Sequence, residues 1–129
     1  AVLGTFVEQA GGVPGETPAE RLKSLIDADP GGRDTLADLA VQCGYSSDHL
    51  RRLFGRRFHT TPRDYRAQSR AAFAMDLLAH AELTVSEVAE RAGYEHPAHF
   101  ARAFRAIHGM TPREAIRRYR FGDVAGDTD

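Results

Sequence analysis

A segment of about fifty residues occurs twice in this chain, and each copy carries the spacing of a helix-turn-helix. The first copy reads Leu39-Ala40-Val41-Gln42-Cys43-Gly44-Tyr45, then Leu50-Arg51-Arg52-Leu53-Phe54, then Thr61-Pro62-Arg63-Asp64. The second reads Val88-Ala89-Glu90-Arg91-Ala92-Gly93-Tyr94, then Phe100-Ala101-Arg102-Ala103-Phe104, then Thr111-Pro112-Arg113-Glu114. The offset is 49 residues up to the Gly-Tyr pair and 50 beyond it, so the second turn is one residue longer. An internal repeat fixes architecture before any single residue does. It predicts an all-α fold in which two helix-turn-helix subdomains, residues 17–61 and 82–121, are joined by a long connecting helix, residues 62–81.

Periodicity and capping chemistry place the helices. Leu22, Leu25 and Ile26 form the stripe of a first helix that begins after Thr17, with Pro18 in its first turn, and ends at Asp29-Pro30-Gly31-Gly32. Leu36, Leu39, Ala40 and Cys43 recur at i, i+3, i+4, i+7, and Val85, Val88, Ala89 and Ala92 repeat them. Gly44 and Gly93 follow as left-handed stops. Ser46 or Ser47 caps the next helix, whose inward face is Leu50, Leu53, Phe54 and Phe58; its counterpart opens at Pro97 and turns Phe100, Ala103, Phe104 and Ile107 inward. Ala67, Ala71, Ala74, Leu77, Leu78 and Ala81 line the connecting helix, and a last helix runs from Pro112 to about Phe121. Thr84 with Glu87 and Thr111 with Glu114 form capping boxes, and Thr35 with Asp38 and Thr61 with Asp64 form their shorter-armed version. Residues 1–16, rich in Gly and Pro, read as a linker or the remnant of an upstream domain, with room for a strand in residues 1–8. Residues 122–129 read as a flexible acidic tail. The start at Ala1, without Met, leads to the expectation of a piece trimmed from a longer protein.

The formal charge of −1 hides a strong segregation. Residues 51–70 hold seven Arg and one Asp, and residues 91–120 hold seven Arg and two Glu, while the segments between and around them are acidic. Both basic blocks coincide with the second helix of a motif and the segment just after it. The local field, not the sum, attracts phosphate. In a helix-turn-helix the second helix presents its exposed N-terminal half to base edges in the major groove of double-stranded DNA. That face offers Ser47, Asp48, His49, Arg51 and Arg52 in the first motif, and Ala98, His99, Ala101 and Arg102 in the second, beside His96. Arg pairs bidentately with guanine and Ala packs on thymine methyls, so these are the expected base contacts, led by Arg51, Arg52 and Arg102. Arg56, Arg57, Arg63, Arg105 and Arg113, with Thr61 and Thr111 at helix starts, are the expected phosphate contacts.

Competing chemistries lack their signatures. Six His residues include His96 and His99 three apart, yet neither a zinc-finger spacing nor His-Glu-x-x-His occurs. No nucleophile elbow, phosphate loop or dinucleotide fingerprint is present, so no enzyme activity, metal or cofactor is expected. Two units are too few for a helical solenoid, and a second complete motif argues against a single-motif repressor. No run of 18 apolar residues and no signal peptide occurs, and the lone Cys43 falls on an apolar helix face; together they lead to the expectation of a cytoplasmic protein with a buried thiol and no membrane partner.

The stretch Gly93-Tyr94-Glu95-His96-Pro97-Ala98-His99-Phe100-Ala101-Arg102-Ala103-Phe104-Arg105, continued by Gly109-Met110-Thr111-Pro112, resembles the DNA-binding domain of AraC/XylS-type transcription regulators. The resemblance runs from about Thr17 to Tyr119. It implies seven helices and two recognition helices entering successive major grooves about one turn apart, roughly 34 Å. It also implies a transcriptional activator that recruits RNA polymerase, with an effector or dimerisation domain outside this chain. Ala115 departs from the pattern by standing where the first repeat has Tyr65, and Pro97 stands where a polar groove-facing residue is common. The acidic balance implies weaker non-specific binding than that of strongly basic members.

Overall fold

The computed structural model describes residues 15–122. The linker or upstream remnant and the acidic tail read from the sequence lie outside the described residues, apart from the positions at their inner edges. Seven α-helices and no strand occur among the described residues: α1 (Pro18–Ala28), α2 (Leu36–Cys43), α3 (Ser47–Phe58), α4 (Pro62–His80), α5 (Val85–Arg91), α6 (Pro97–His108) and α7 (Pro112–Ala115). They divide into two compact units. Among the described residues one comprises 15–29 with Arg33–Arg66, the other Pro30–Gly32 with 67–122, so the division falls inside α4.

Side-chain chemistry sets the helix starts. Thr17, Thr35, Thr84 and Thr111 each accept a hydrogen bond from the backbone N–H three residues on, and the acid at that position accepts from the Thr backbone. Thr61 accepts from Asp64 N–H at 3.0 Å, and Ser46 from His49 N–H at 3.2 Å. Such a cap stabilises by about 1 kcal/mol. Of the four boxes expected from the sequence, those at Thr35, Thr84 and Thr111 are reciprocal, Thr61 with Asp64 forms only the Thr side-chain cap, and Thr17 with Glu20, legible as Thr-x-x-Glu, adds a further reciprocal box. Because the Glu carboxylates of the boxes accept backbone N–H bonds, Glu20, Glu87 and Glu114 are held below the usual carboxylate range.

The core of the first unit gathers Ala19, Leu22 and Ile26 of α1, Leu39 and Ala40 of α2, and Leu50 and Phe54 of α3. Tyr65, at the start of α4, packs its ring on Phe54 and donates its hydroxyl to Asp27, which also holds Lys23 at 3.0 Å. Burial, then the neighbouring Asp27, pushes the Tyr65 phenol up. The core of the second unit gathers Ala74 and Leu78 of α4, Val88 and Ala89 of α5, Ala92 just beyond it, Phe100 and Phe104 of α6, and Ala115 of α7. The second half of α4 thus serves this unit as α1 serves the first. His108 donates to the Ala71 carbonyl at 3.0 Å, and Arg120 donates to those of Leu78 and Leu83, both at 3.1 Å. Ala115, without the aromatic found at Tyr65, is fully buried in this core.

Three local expectations change. Ile107 is 39% exposed rather than inward. The inward direction of α6 is set by Phe104, flanked by Phe100 and by His108, whose ring packs on Phe104 at 4.5 Å; Ile107 falls to the side. The last helix is α-helical only to Ala115 and continues as a π-helix, Ile116–Arg120, closed by Phe121 N–H on the Ile116 carbonyl. The wider turn coincides with Arg120 reaching back to α4 and its following loop. Cys43 is half-buried rather than buried, and burial pushes its thiol up.

Both turns need a left-handed residue: Gly44 has φ 83° and Gly93 φ 94°. Their surroundings differ. A Cβ at Gly44 meets open space, whereas one at Gly93 would lie 2.6 Å from the Arg70 guanidinium. That guanidinium cannot swing away freely, because it donates to the carbonyls of Pro30 and Gly32 at 2.9 Å and sits over the Tyr94 ring at 5.5 Å. Gly44→Ala is expected to cost about 1–2 kcal/mol for backbone strain alone. Gly93→Ala is expected to cost more, and in an Arg70→Ala background its excess over Gly44→Ala should shrink. Chemical denaturation of the four variants measures this coupling; equal costs for the two glycine substitutions would remove Arg70 from the account.

Candidate nucleic-acid interface

The exposed side of α3 is produced by what its other side buries. Leu50 and Phe54 are 1% and 0% exposed, which leaves Ser47, Asp48, Arg51 and Arg52 in solvent along the first two turns. Ala40 of α2, 2% exposed, sits in the same core, where its small side chain admits the close approach of α3. His49 is half-buried and stacks on Tyr45, ring centroids 5.1 Å apart. The Ser46 hydroxyl caps the helix through His49 N–H, so the cap leaves the exposed side chains alone.

Asp48 organises this face. Its Oδ1 accepts from Arg51 at 2.9 Å and its Oδ2 from Arg52 at 2.9 Å. All three side chains are more than half exposed. The two arginines, Arg51 foremost, hold the Asp48 carboxyl below the usual Asp range.

On α6 the same logic applies with Phe100 and Phe104 inward, and Ala89 of α5 taking the place of Ala40. Ala98, His99, Arg102 and Arg105 are exposed, and Ala101 is half-buried. The first turn contains no acid, and His96, the N-cap residue, makes no side-chain cap bond; its ring meets His99 edge-on at 5.2 Å. The two faces therefore differ in chemistry: a carboxylate-bridged Arg pair on α3, and on α6 Arg102 and Arg105 among small and imidazole side chains, with no acid in the helix.

The expected phosphate contacts separate in the structure. Arg56, Arg63, Arg105 and Arg113 are exposed. Thr61 and Thr111 are half-buried and cap α4 and α7. Arg57 is exposed as well, but it donates to Glu20 of α1 at 3.3 Å and lies over the Phe58 ring, which ties its charge to the scaffold. The basic blocks also contain arginines with internal work: Arg66 is 8% exposed, and Arg70 and Arg120 bind backbone carbonyls. Arg70, Arg120 and His108 had no distinguishing sequence signal, because a side chain that bonds a distant carbonyl looks like any other basic residue. Among the described residues no group of three or more His, Cys, Asp or Glu is placed to hold a metal ion, and no helix is long and apolar enough to cross a membrane.

Comparison with known proteins gives a consistent picture. A family profile described as a helix-turn-helix domain matches residues 39–118. The transcriptional activator RhaR of Cronobacter sakazakii is 33% identical over 121 residues, covering 92% of this chain and 42% of that protein. The chain spans less than half the length of the curated relatives it matches. A probable AraC family transcriptional regulator from Rhodopseudomonas palustris has a solved structure with TM-score 0.71 and 27% identity, covering 80% of this chain and 97% of the other. The DNA-binding domain of AdpA, solved in complex with a target DNA, shares the fold with TM-score 0.75 and 23% identity, covering 81% of this chain and 95% of that one.

The ion pairs at Asp48 have a titration signature. A depressed folded-state pKa stabilises α3 above the ordinary Asp value of 3.8, and that stabilisation is lost as pH falls through the depressed value. In a carboxyl-detected NMR titration Asp48 is expected to titrate below the ordinary Asp value. Arg51→Ala should move it back toward that value. An Asp48 that titrates at the ordinary value in the unsubstituted chain would mean that the fork does not persist in solution.

Proposed function

The chain belongs to the AraC-type helix-turn-helix family, and on that premise we propose that it binds double-stranded DNA in a sequence-specific manner, as the reading domain of a transcription regulator. The observation that carries this reading is the pair of exposed polar faces on α3 and α6, each backed by a buried aromatic core. One recognition helix from each unit enters the major groove, and both engage one duplex in successive grooves. Arg52 and Arg102 occupy equivalent positions of the repeat and read bases, with Arg51 beside the first. Ser47 and His99 add polar contacts, and Ala98 and Ala101 offer methyl surfaces to thymine. Arg56, Arg63, Arg105 and Arg113, with the helix starts at Thr61 and Thr111, hold phosphates and set register. Arg57, already bonded to Glu20, contributes less to the backbone grip.

The sign of regulation is activation, in line with the names of RhaR and of the VirF activator of Yersinia enterocolitica. The full protein works in the cytoplasm, contacts RNA polymerase, and takes its effector or dimerisation domain from outside this chain. No step of this reading calls on catalysis.

Selection of bound sites from random duplexes tests it. The expected product is an asymmetric site with two base clusters about ten base pairs apart. Arg52→Ala should relax preference at one base of one cluster, at a cost of about 1–3 kcal/mol. Arg56→Ala should weaken all duplexes alike and lower the salt slope by about 1. Absence of any enriched site, or an Arg52→Ala variant that keeps the full preference, would overturn the assignment.

A further inference from the structure

The internal repeat supplies its own comparison at the reading face. Asp48, Arg51 and Arg52 of α3 correspond, fifty residues on, to Ala98, Ala101 and Arg102 of α6. Only α3 carries an acid within reach of its arginines. The i,i+3 and i,i+4 spacings put both guanidiniums over the same turn as the Asp48 carboxylate, one on each oxygen, at 2.9 Å. All three groups lie in solvent, so the fork is not needed to compensate burial.

We propose that Asp48 is a specificity-determining positioning residue, which holds Arg51 and Arg52 on one carboxylate so that they read guanine rather than phosphate. This inference rests on the DNA-reading function proposed above. Arg has five N–H donors in a fixed fork. The bond from Arg52 to Asp48 engages one terminal nitrogen and leaves other donors for the O6 and N7 acceptors of a guanine, which need two. A phosphate asks for the same donors but brings a full negative charge. To take either arginine it must displace the carboxylate or sit beside it, and both choices cost free energy. Guanine edges are neutral and carry no such penalty. The fork therefore lowers non-specific binding more than specific binding, and it also limits the rotamers from which each arginine starts. On α6 Arg102 has no acid at i−3 or i−4, where His99 and Ala98 stand. Base discrimination should accordingly concentrate in the half-site read by α3, with α6 adding grip.

The test uses this chain, its own selected site and a scrambled duplex of equal length, with affinities measured across salt concentrations. Asp48→Asn keeps the size of the side chain at an exposed position, and an unchanged thermal melt checks the fold. The expected result is tighter binding to the scrambled duplex, a salt slope on that duplex steeper by about 1–2, and a specificity ratio reduced by about 3- to 10-fold. In an Arg51→Ala, Arg52→Ala background the same substitution should leave the ratio unchanged. The converse variant, Ala98→Asp, should weaken scrambled-duplex binding by placing an acid four residues before Arg102. A ratio that survives Asp48→Asn overturns the proposal. So does an effect that persists without the two arginines, since Asp48 would then touch the bases itself. If the unsubstituted chain selects no site, the DNA-reading function fails and this inference falls with it. A selected site with an Asp48-independent ratio removes only the inference.

Discussion

Each unit depends on one constraint: a twelve-residue helix must bury one aromatic side completely while its opposite side stays bare. Phe54 on α3, and Phe100 and Phe104 on α6, are at most 1% exposed. Their burial is worth several kcal/mol each, because removing a buried Phe forfeits transfer free energy and leaves a cavity. It also fixes rotation about the helix axis. With Leu50 and Phe54 inside, Arg52 falls on the opposite side and Arg51 on the flank, where both are exposed. The small residues Ala40 and Ala89 belong to the same constraint, since a larger side chain there would hold the preceding helix away from the aromatic row. Fold and reading face are thus consequences of one packing event in each unit.

The arginines show how far composition can mislead. Two dense basic blocks invite the view that every member faces phosphate. In the structure they perform three kinds of work. Arg70 and Arg120 satisfy backbone carbonyls at loops and a helix end, Arg57 pairs with Glu20, and Arg51 and Arg52 share Asp48. The exposed positive potential is therefore smaller than the count of arginines implies, and it is concentrated at positions such as Arg56, Arg63, Arg102 and Arg105. For a protein that must discriminate among duplexes, a modest non-specific attraction is an advantage, because every non-specific site competes with the target.

Much of this was legible in the sequence because the repeat supplied two independent readings of the same pattern. Apolar spacing located the seven helices, and Thr or Ser placed most of their starts, since capping is a local interaction between residues three apart. The bare faces of α3 and α6 came from the same spacing. What escaped was non-local. The π-turn at Ile116–Arg120 goes with carbonyls some forty residues away, to which Arg120 bonds. Ile107 had the right spacing for the core but lost its place to the direction set by Phe104 and His108. The Asp48 fork lay within reach of helical spacing, yet Asp48 read alone as one more candidate base contact; the fork shows only when both of its oxygens are seen to be occupied.

The two units solve the same packing problem with unequal surfaces, and the inequality has a physical direction. The α3 face pairs one acid with two arginines, so one of its two positive charges is offset until a partner displaces or complements the fork. The α6 face has Pro97, Ala98 and Ala101 where a richer reader would carry hydrogen-bonding groups, and its Arg102 has no acid beside it in the first turn. A face with few donors discriminates poorly but approaches closely, since small side chains let the helix backbone sit deep in a groove. A duplication that kept both cores and varied only the exposed positions would leave this asymmetry: a charge-paired face on one helix and a small-residue face on the other.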